Sequence, residues 1–305
     1  MSKIKPIHAK GRGWITVHER KWGWFFIFPA FVFMSLFMLY PTLNAFYLSF
    51  FKYEIVSKPI FNGIGNYQRF FKDQDFWYSF KITLIYVFST AAIITILSLI
   101  SALTMNLQLK GQSIYRTIFF LPSVMSLVAV AIIFKGIFHQ RGLVNYYLSL
   151  FVTSDFKPIQ WISQMPYALI AIIIVRVWRA FGFFMVIFLA GLQNIPLDYY
   201  DASKIDGCTA LKQFKYITLP LLTPTTVLVS LLAVVNAFQA FTEPYIMTGG
   251  GPADRTRILP IMLYEIGFRY FKMGEAATLS IIIFVVIGIF SIIQFNFNRK
   301  YKVEY

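Results

Sequence analysis

Six long apolar runs, separated by short polar stretches, limit what this chain can fold into before any single residue is considered. They lie at about 22–51, 77–107, 118–138, 166–192, 221–247 and 273–297. Each is close to or longer than the roughly 20 residues a helix needs to cross a bilayer core. A backbone in hydrocarbon must satisfy its own N–H and C=O groups, which leaves helices or closed barrels, and unbroken apolar runs of this length are not barrel strands. The expected fold class is therefore all-α and integral to the membrane, with six transmembrane helices. With 58% of 305 residues hydrophobic and only 13% charged, lipid must cover surface that one soluble core could not hide.

The net charge of +15 would suggest nucleic acid in a soluble protein. Here the Lys and Arg residues sit at the edges of the runs, where headgroups meet them, so the expected partner is the lipid bilayer and not nucleic acid. Residues 1–21 form a basic segment (Lys3, Lys5, Lys10, Arg12, Arg20 and Lys21 against Glu19). The run after it is too long for a signal-peptide core and lacks a small-x-small cleavage site, so a retained anchor with its N-terminus inside is expected. An even number of passes then puts both termini in the cytoplasm of a multi-pass cell-membrane protein. The chain divides into the basic segment, one transmembrane domain at 22–297 and a tail at 298–305. Pro29 and Pro41 are expected to bend the first run, and Pro122 falls in the first turn expected for the third. After a break at Gly249-Gly250-Gly251-Pro252, residues 258–271 suit an outer helix lying along the bilayer or at the rim of a cavity.

The single cysteine, Cys208, excludes an internal disulfide, and His8, His18 and His139 lack the i, i+4 spacing of a zinc helix. No metal site and no catalytic constellation is expected. No G-x-x-x-x-G-K-[ST] occurs; Lys110-Gly111-Gln112-Ser113 has the wrong order. The chain therefore lacks a phosphate cradle and is expected to bind no cofactor and to be no enzyme by itself.

Between the fourth and fifth runs lies a polar island at 196–220. Pro196 can open a short helix over Leu197 to Asp206, Gly207 can end it in a left-handed conformation, Thr209 can cap a second, and Pro220 can start the next long run. Its charges face water while Leu197, Tyr200, Ile205, Leu211, Phe214 and Ile217 offer apolar knobs. That combination suits insertion into a partner's groove, and also an ordinary connecting loop.

The spacing within this island is informative. Asp201-Ala202-Ser203, Asp206-Gly207 and Ile217-x-Leu219-Pro220 resemble the "EAA…G…I-LP" signature of permease subunits of binding-protein-dependent ABC importers. Asp201 stands where Glu is commoner and Ser203 where Ala is commoner, changes that keep charge or size. The flanking IFLAGLQNIP and TGGGPADRT look like the carbohydrate branch, of maltose, lactose and glycerol-phosphate type, and the resemblance runs from about Trp22 to Phe297. It implies the type I importer permease fold, with a cytoplasmic coupling-helix hairpin in which Tyr200, Asp201, Ala202, Ser203, Asp206, Gly207, Leu219 and Pro220 meet an ATPase. It also implies the partners: a second, related permease subunit, two ATPase subunits that use ATP and Mg, an extracytoplasmic solute-binding protein and a saccharide substrate.

Ionisable groups at bilayer depth are costly and need a reason. Arg176 and Arg179 flank Trp178, and Arg179 lies roughly 20 Å from either end of its run at about 1.5 Å per residue. Asn236, Gln239 and Glu243 follow i, i+3, i+7 spacing, which on an unbroken helix makes one polar stripe. These groups can pair with one another, Arg179 with Glu243 or Gln239 for instance. They can also line a water-filled cavity where amides, a carboxylate and guanidinium groups hold a hydroxyl-rich solute against an aromatic face. A transporter driven by an ion gradient is the alternative function, but it would call for related halves and mid-span acids, and mid-span acids are nearly absent here.

Overall fold

The computed structural model describes residues 17–107, 111–152 and 156–299; the expected cytoplasmic segment up to residue 16, Lys110 and the tail from Lys300 lie outside them. The first run is one continuous pass, Trp22–Leu48. It consists of α1 (Val17–Met34), a π turn at Ser35–Leu39 and α2 (Tyr40–Leu48). Pro29 sits within α1 and does not interrupt it. Pro41 cannot donate to the turn before it, and the wider π turn, in which the Tyr40 N–H bonds the Ser35 carbonyl, absorbs that loss.

Two short antiparallel strands follow, β1 (Phe51–Lys52) and β2 (Ile60–Phe61), with Phe51 opposite Phe61. Next come α3 (Gly65–Lys72) and the 33-residue α4 (Gln74–Asn106), whose Asp73 carboxylate caps its start by accepting from the Asp75 N–H at 2.9 Å. The third run departs from expectation. It is two helices, α5 (Gln112–Val124) and α6 (Leu127–Ile137), bent by 96° at Met125-Ser126. Pro122 lies in the last turn of α5, not in the first turn of a single span.

After α7 (Leu143–Phe151), α8 (Tyr167–Gln193) runs beside α4 as the centre of the bundle. A Cβ on Gly182 would sit 1.8 Å from the Phe119 carbonyl oxygen, so only glycine lets α5 cross α8 this closely. Ser98 on α4 donates to the Phe181 carbonyl of α8 at 2.8 Å. The chain then forms α9 (Leu197–Ile205), α10 (Ala210–Gln213), a π turn at Phe214–Thr218 and α11 (Leu219–Leu221).

The fifth run also departs from one helix over 221–247. α12 (Thr223–Phe238) begins after a 66° bend at Leu222 with Pro224 in its first turn, so Pro220 belongs to the hairpin side of that bend. It stops at Phe238, and α13 (Thr242–Thr248) starts afresh with Pro244 in its first turn. Pro244 has no N–H for the Ala240 carbonyl and its ring would press on that oxygen, so a helix cannot run through 240–244 undisturbed. Gly249 closes α13 at φ 61°. The following α14 (Leu259–Tyr264) and π turn Glu265–Arg269 bury Leu259, Ile261, Met262 and Ile266. This segment packs into the bundle instead of lying along the bilayer, and the Leu259 N–H donates to Thr83 of α4 at 2.9 Å. The last pass is α15 (Met273–Arg299).

Among the described residues four helices are long and apolar enough to cross a membrane, and two bent pairs, α5 with α6 and α10–α11 with α12, bring the number up to six when each counts as one pass. One core cluster joins Tyr86, Ile172, Val175 and Phe238, a second joins Ile94, Phe184, Phe188 and Leu222 nearer the hairpin, and a third gathers Phe70, Phe76, Leu259 and Leu279 at the far end. No residue of the first pass is buried: α2 touches α15, and most of the remaining apolar surface of this pass is left to lipid or to another chain.

Candidate functional site: a protruding hairpin and a mid-span polar cluster

The hairpin owes its shape to local signals. Gly207 takes φ +73°, a conformation that costs an L residue but not glycine. The Gly207 N–H bonds the Lys204 carbonyl at 3.1 Å and the Cys208 N–H bonds the Ser203 carbonyl at 2.9 Å, the paired closure of a Schellman end. Ser203 is buried and accepts from the Gln213 amide at 2.9 Å, which ties the two short helices together. Tyr200 turns inward to share a 2.9 Å hydrogen bond with Thr218, so it is not an outward knob. Thr209 stands at the start of α10 but makes no side-chain cap bond.

Outside this frame, Asp201, Ala202, Asp206 and Leu219 are exposed and Pro220 is half-buried. Asp201 pairs with Lys204 at 2.9 Å, too exposed to stabilise by more than a few tenths of a kcal/mol. Three large apolar side chains stand uncovered: Leu197 at 74%, Leu211 at 77% and Ile205 at 88%.

At mid-span α8 carries Arg176, which is buried and donates to three acceptors. Its Nη1 bonds Glu243 Oε1 at 2.8 Å, and its Nη2 bonds the Asn236 main-chain carbonyl at 2.8 Å as well as the Asn236 side-chain oxygen. The sequence reading offered Arg179 as the partner of Glu243; the structure gives that place to Arg176. The reason is the break in the fifth pass. Residues 239–241 leave the helix, so Asn236, Gln239 and Glu243 do not form one stripe: the two amides stay exposed while Glu243 turns into the core.

The break orphans carbonyls at the end of α12. Val235 and Ala237 find N–H donors at Gln239 and Ala240, and Asn236 finds the guanidinium of Arg176. Arg179, one turn further along α8, does the same for the other broken pass, donating from Nη2 to the Ser123 carbonyl in the last turn of α5 at 3.4 Å. The two arginines therefore serve the ends of two different interrupted helices. Trp178 between them packs on Phe134 of α6 with ring centroids 5.0 Å apart. Tyr86 of α4 is fully buried within electrostatic reach of both Arg176 and Glu243.

Sequence reasoning missed both interruptions. Pro244 was a local signal for one of them, since a helix often begins at or just before a proline. The break at Met125-Ser126 had no comparable marker, because its stabilising donor comes from a residue 56 positions away.

At the end away from the hairpin, a cavity of about 480 Å³ is lined by charged groups including Arg69, Asp75, Arg257, Glu265 and Glu275. Burial raises the Glu265 carboxyl above the usual carboxylate range, although Arg257 at 3.7 Å and Arg269 at 3.5 Å pull it the other way. Among the described residues no group of three or more His, Cys, Asp or Glu side chains is placed to hold a metal ion.

Up to six helical passes, polar groups buried midway along them and a polar hairpin with uncovered apolar knobs define a multi-pass membrane protein. The family described as binding-protein-dependent transport system inner membrane component matches residues 94–303, and the chain belongs to it. It is 36% identical to the lactose transport system permease protein LacF of Rhizobium radiobacter, over 92% of this chain and 95% of that one. It is 32% identical to the trehalose/maltose transport system permease protein MalF of Thermococcus litoralis, over 93% and 96% of the two chains. The fold is shared with a chain in the crystal structure of a bacterial alginate ABC transporter in complex with alginate pentasaccharide-bound periplasmic protein. There the TM-score is 0.79 at 19% identity, covering 92% of this chain and 96% of that one. The protein is thus a permease subunit of an ATP-driven importer in the cell membrane, not an enzyme, with ATP hydrolysis left to partner subunits. Nothing in these matches supports the gradient-driven alternative.

Proposed function

We propose that this subunit carries a saccharide across the cytoplasmic membrane by alternating access, with the 196–220 hairpin as its mechanical link to a cytoplasmic ATPase. The relatives named for lactose and for trehalose/maltose support the saccharide, and the transporter solved with its periplasmic protein supports a solute-binding partner outside. The core assembly is this subunit, a second related permease and two ATPases that use ATP and Mg. Both termini and the hairpin face the cytoplasm.

The observation that carries the coupling role is the pairing of a stiff frame with a bare surface. Gly207, Ser203, Gln213, Tyr200 and Thr218 fix the hairpin's shape, while Leu197, Ile205 and Leu211 face solvent with nothing covering them. Uncovered apolar side chains on a rigid polar hairpin fit a groove in a soluble partner. Asp201, Ala202 and Asp206 would line the same contact, with Leu219 and Pro220 setting the angle at which the hairpin meets α12. When the ATPases close on ATP, the hairpins move with them and rock the spans from inward-open to outward-open. The solute path runs past the exposed Asn236 and Gln239 and the half-buried Arg179, with Arg176 and Glu243 holding the broken pass behind them and Trp178 bracing the wall.

Replacing Gly207 by valine tests the coupling. A Cβ added here meets no neighbour within 4 Å, so the main effect comes from forcing a β-branched residue into positive φ. The variant is expected to insert and assemble normally while solute-stimulated ATPase activity and uptake are lost. Normal uptake by Gly207→Val would refute the role.

A further inference from the structure

We infer that the importer's substrate carries a carboxylate, as a uronic-acid sugar does, and that Arg179 is the residue that receives it; this rests on the saccharide-permease reading above. Among the described residues α8 and α13 place two cations, Arg176 and Arg179, and one anion, Glu243, deep within the bundle. Glu243 is spoken for, since it and Arg176 form a buried pair with side chains only 1% and 6% exposed. Arg179 is left over.

Its guanidinium has one hydrogen bond, the 3.4 Å contact from Nη2 to the Ser123 carbonyl. Its Nε is buried with no partner, and none of its nitrogens lies within ion-pair distance of a carboxylate among the described residues. A guanidinium at mid-bilayer depth is costly unless an anion or polar medium meets it, and Arg179 is too far from either end of α8 to reach headgroups. Unlike Arg176, Arg179 is only half-buried, and Asn236, which Arg176 reaches, and Gln239 are exposed. Among the described residues the Gln239 side chain makes no hydrogen bond and the Asn236 amide keeps its NH2 unbonded, its oxygen being taken by Arg176, so donors remain for sugar hydroxyls. The planar fork of a guanidinium suits the two oxygens of a carboxylate. A phosphate monoester, carrying nearly two charges, would call for more than the single cation left unpaired at mid-helix in α8 among the described residues.

The test uses cells expressing the complete importer, with initial uptake of a panel of uronate disaccharides compared with that of their neutral parent sugars. Arg179→Gln is expected to lower uronate uptake about tenfold or more, the loss of one charge-assisted contact, and to lower neutral-sugar uptake by a clearly smaller factor, so that the ratio of the two rates falls. Arg179→Lys is expected to recover part of the uronate rate. Equal loss of both solute classes, or undiminished uronate uptake, would overturn the inference. Loss of copurifying permease and ATPase subunits in Arg179→Gln would also overturn it, by placing the missing counterion on another chain. Wild-type import of neutral sugars alone would refute the inference and leave the saccharide reading standing; import of neither class would refute both.

Discussion

The hairpin at 196–220 and the interrupted passes beside α8 are both breaks in a helical chain, and they are held by opposite means. In the hairpin every bond that fixes the break joins residues within 18 positions: Gly207 to Lys204, Gln213 to Ser203, Tyr200 to Thr218. At the interrupted passes local N–H groups serve Val235, Ala237 and Pro122, but the side-chain donors to Asn236 and Ser123 come from α8, 60 and 56 residues away. The surroundings explain the difference. A helix end in water can leave carbonyls to solvent, whereas one at bilayer depth must find a donor within the protein. A short polar hairpin can therefore form on its own, while a mid-membrane break exists only after the neighbouring helix has docked.

That contrast is most sharply tested at Arg176. Arg176→Leu would strand the buried Glu243 carboxylate and the Asn236 carbonyl, with an expected cost of about 3–5 kcal/mol. Thermal unfolding of the purified complex should show a large loss, and adding Glu243→Gln should recover part of it. A single variant that melts like the wild type would mean that the break in the fifth pass holds without α8. In the hairpin, Ser203→Val removes the hydroxyl that accepts from Gln213, for an expected cost of about 1 kcal/mol. Because the damage stays local, ATPase stimulation should fall while the melting temperature of the spans hardly moves. A lowered melting temperature would show that the hairpin is tied to the bundle more tightly than its bonds suggest.

Smaller effects separate packing from breakage. Ser98→Ala removes one bond between two unbroken helices, α4 and α8, and about 0.6 kcal/mol is expected in a thermal melt. At the far end the raised Glu265 carboxyl binds its proton more tightly in the folded protein than in the unfolded chain. Its contribution to stability is therefore present at acid pH and lost as pH rises through the folded value. Melting across mildly acidic to neutral pH should show that decline in the wild type and a shallower one in Glu265→Gln.

What the sequence made legible follows the same division. The six passes were readable because apolar run length is a property of neighbouring residues, and so was the helix end at Gly207. The identity of the partner of Glu243 was not readable, because helical spacing predicts a straight stripe and a straight stripe presents Arg179 as readily as Arg176. Pro244 ended that straightness and moved Glu243 into the core. At the third pass, Pro122 was visible but its place was not. The helix starts at Gln112, among polar residues that apolar run length cannot detect, and so Pro122 comes late in α5 rather than early. The inward turn of Tyr200 likewise depends on Thr218, across the hairpin, and composition alone made it look like one more apolar knob.

The coupling claim is tested most directly at Cys208, the only cysteine in the chain and half-buried beside Gly207. A membrane-impermeant maleimide applied to inside-out vesicles should label it after the ATPase subunits are stripped away, and labelling should fall when they are added back. Labelling of Cys208 from outside intact cells, or labelling unaffected by the ATPases, would contradict the account.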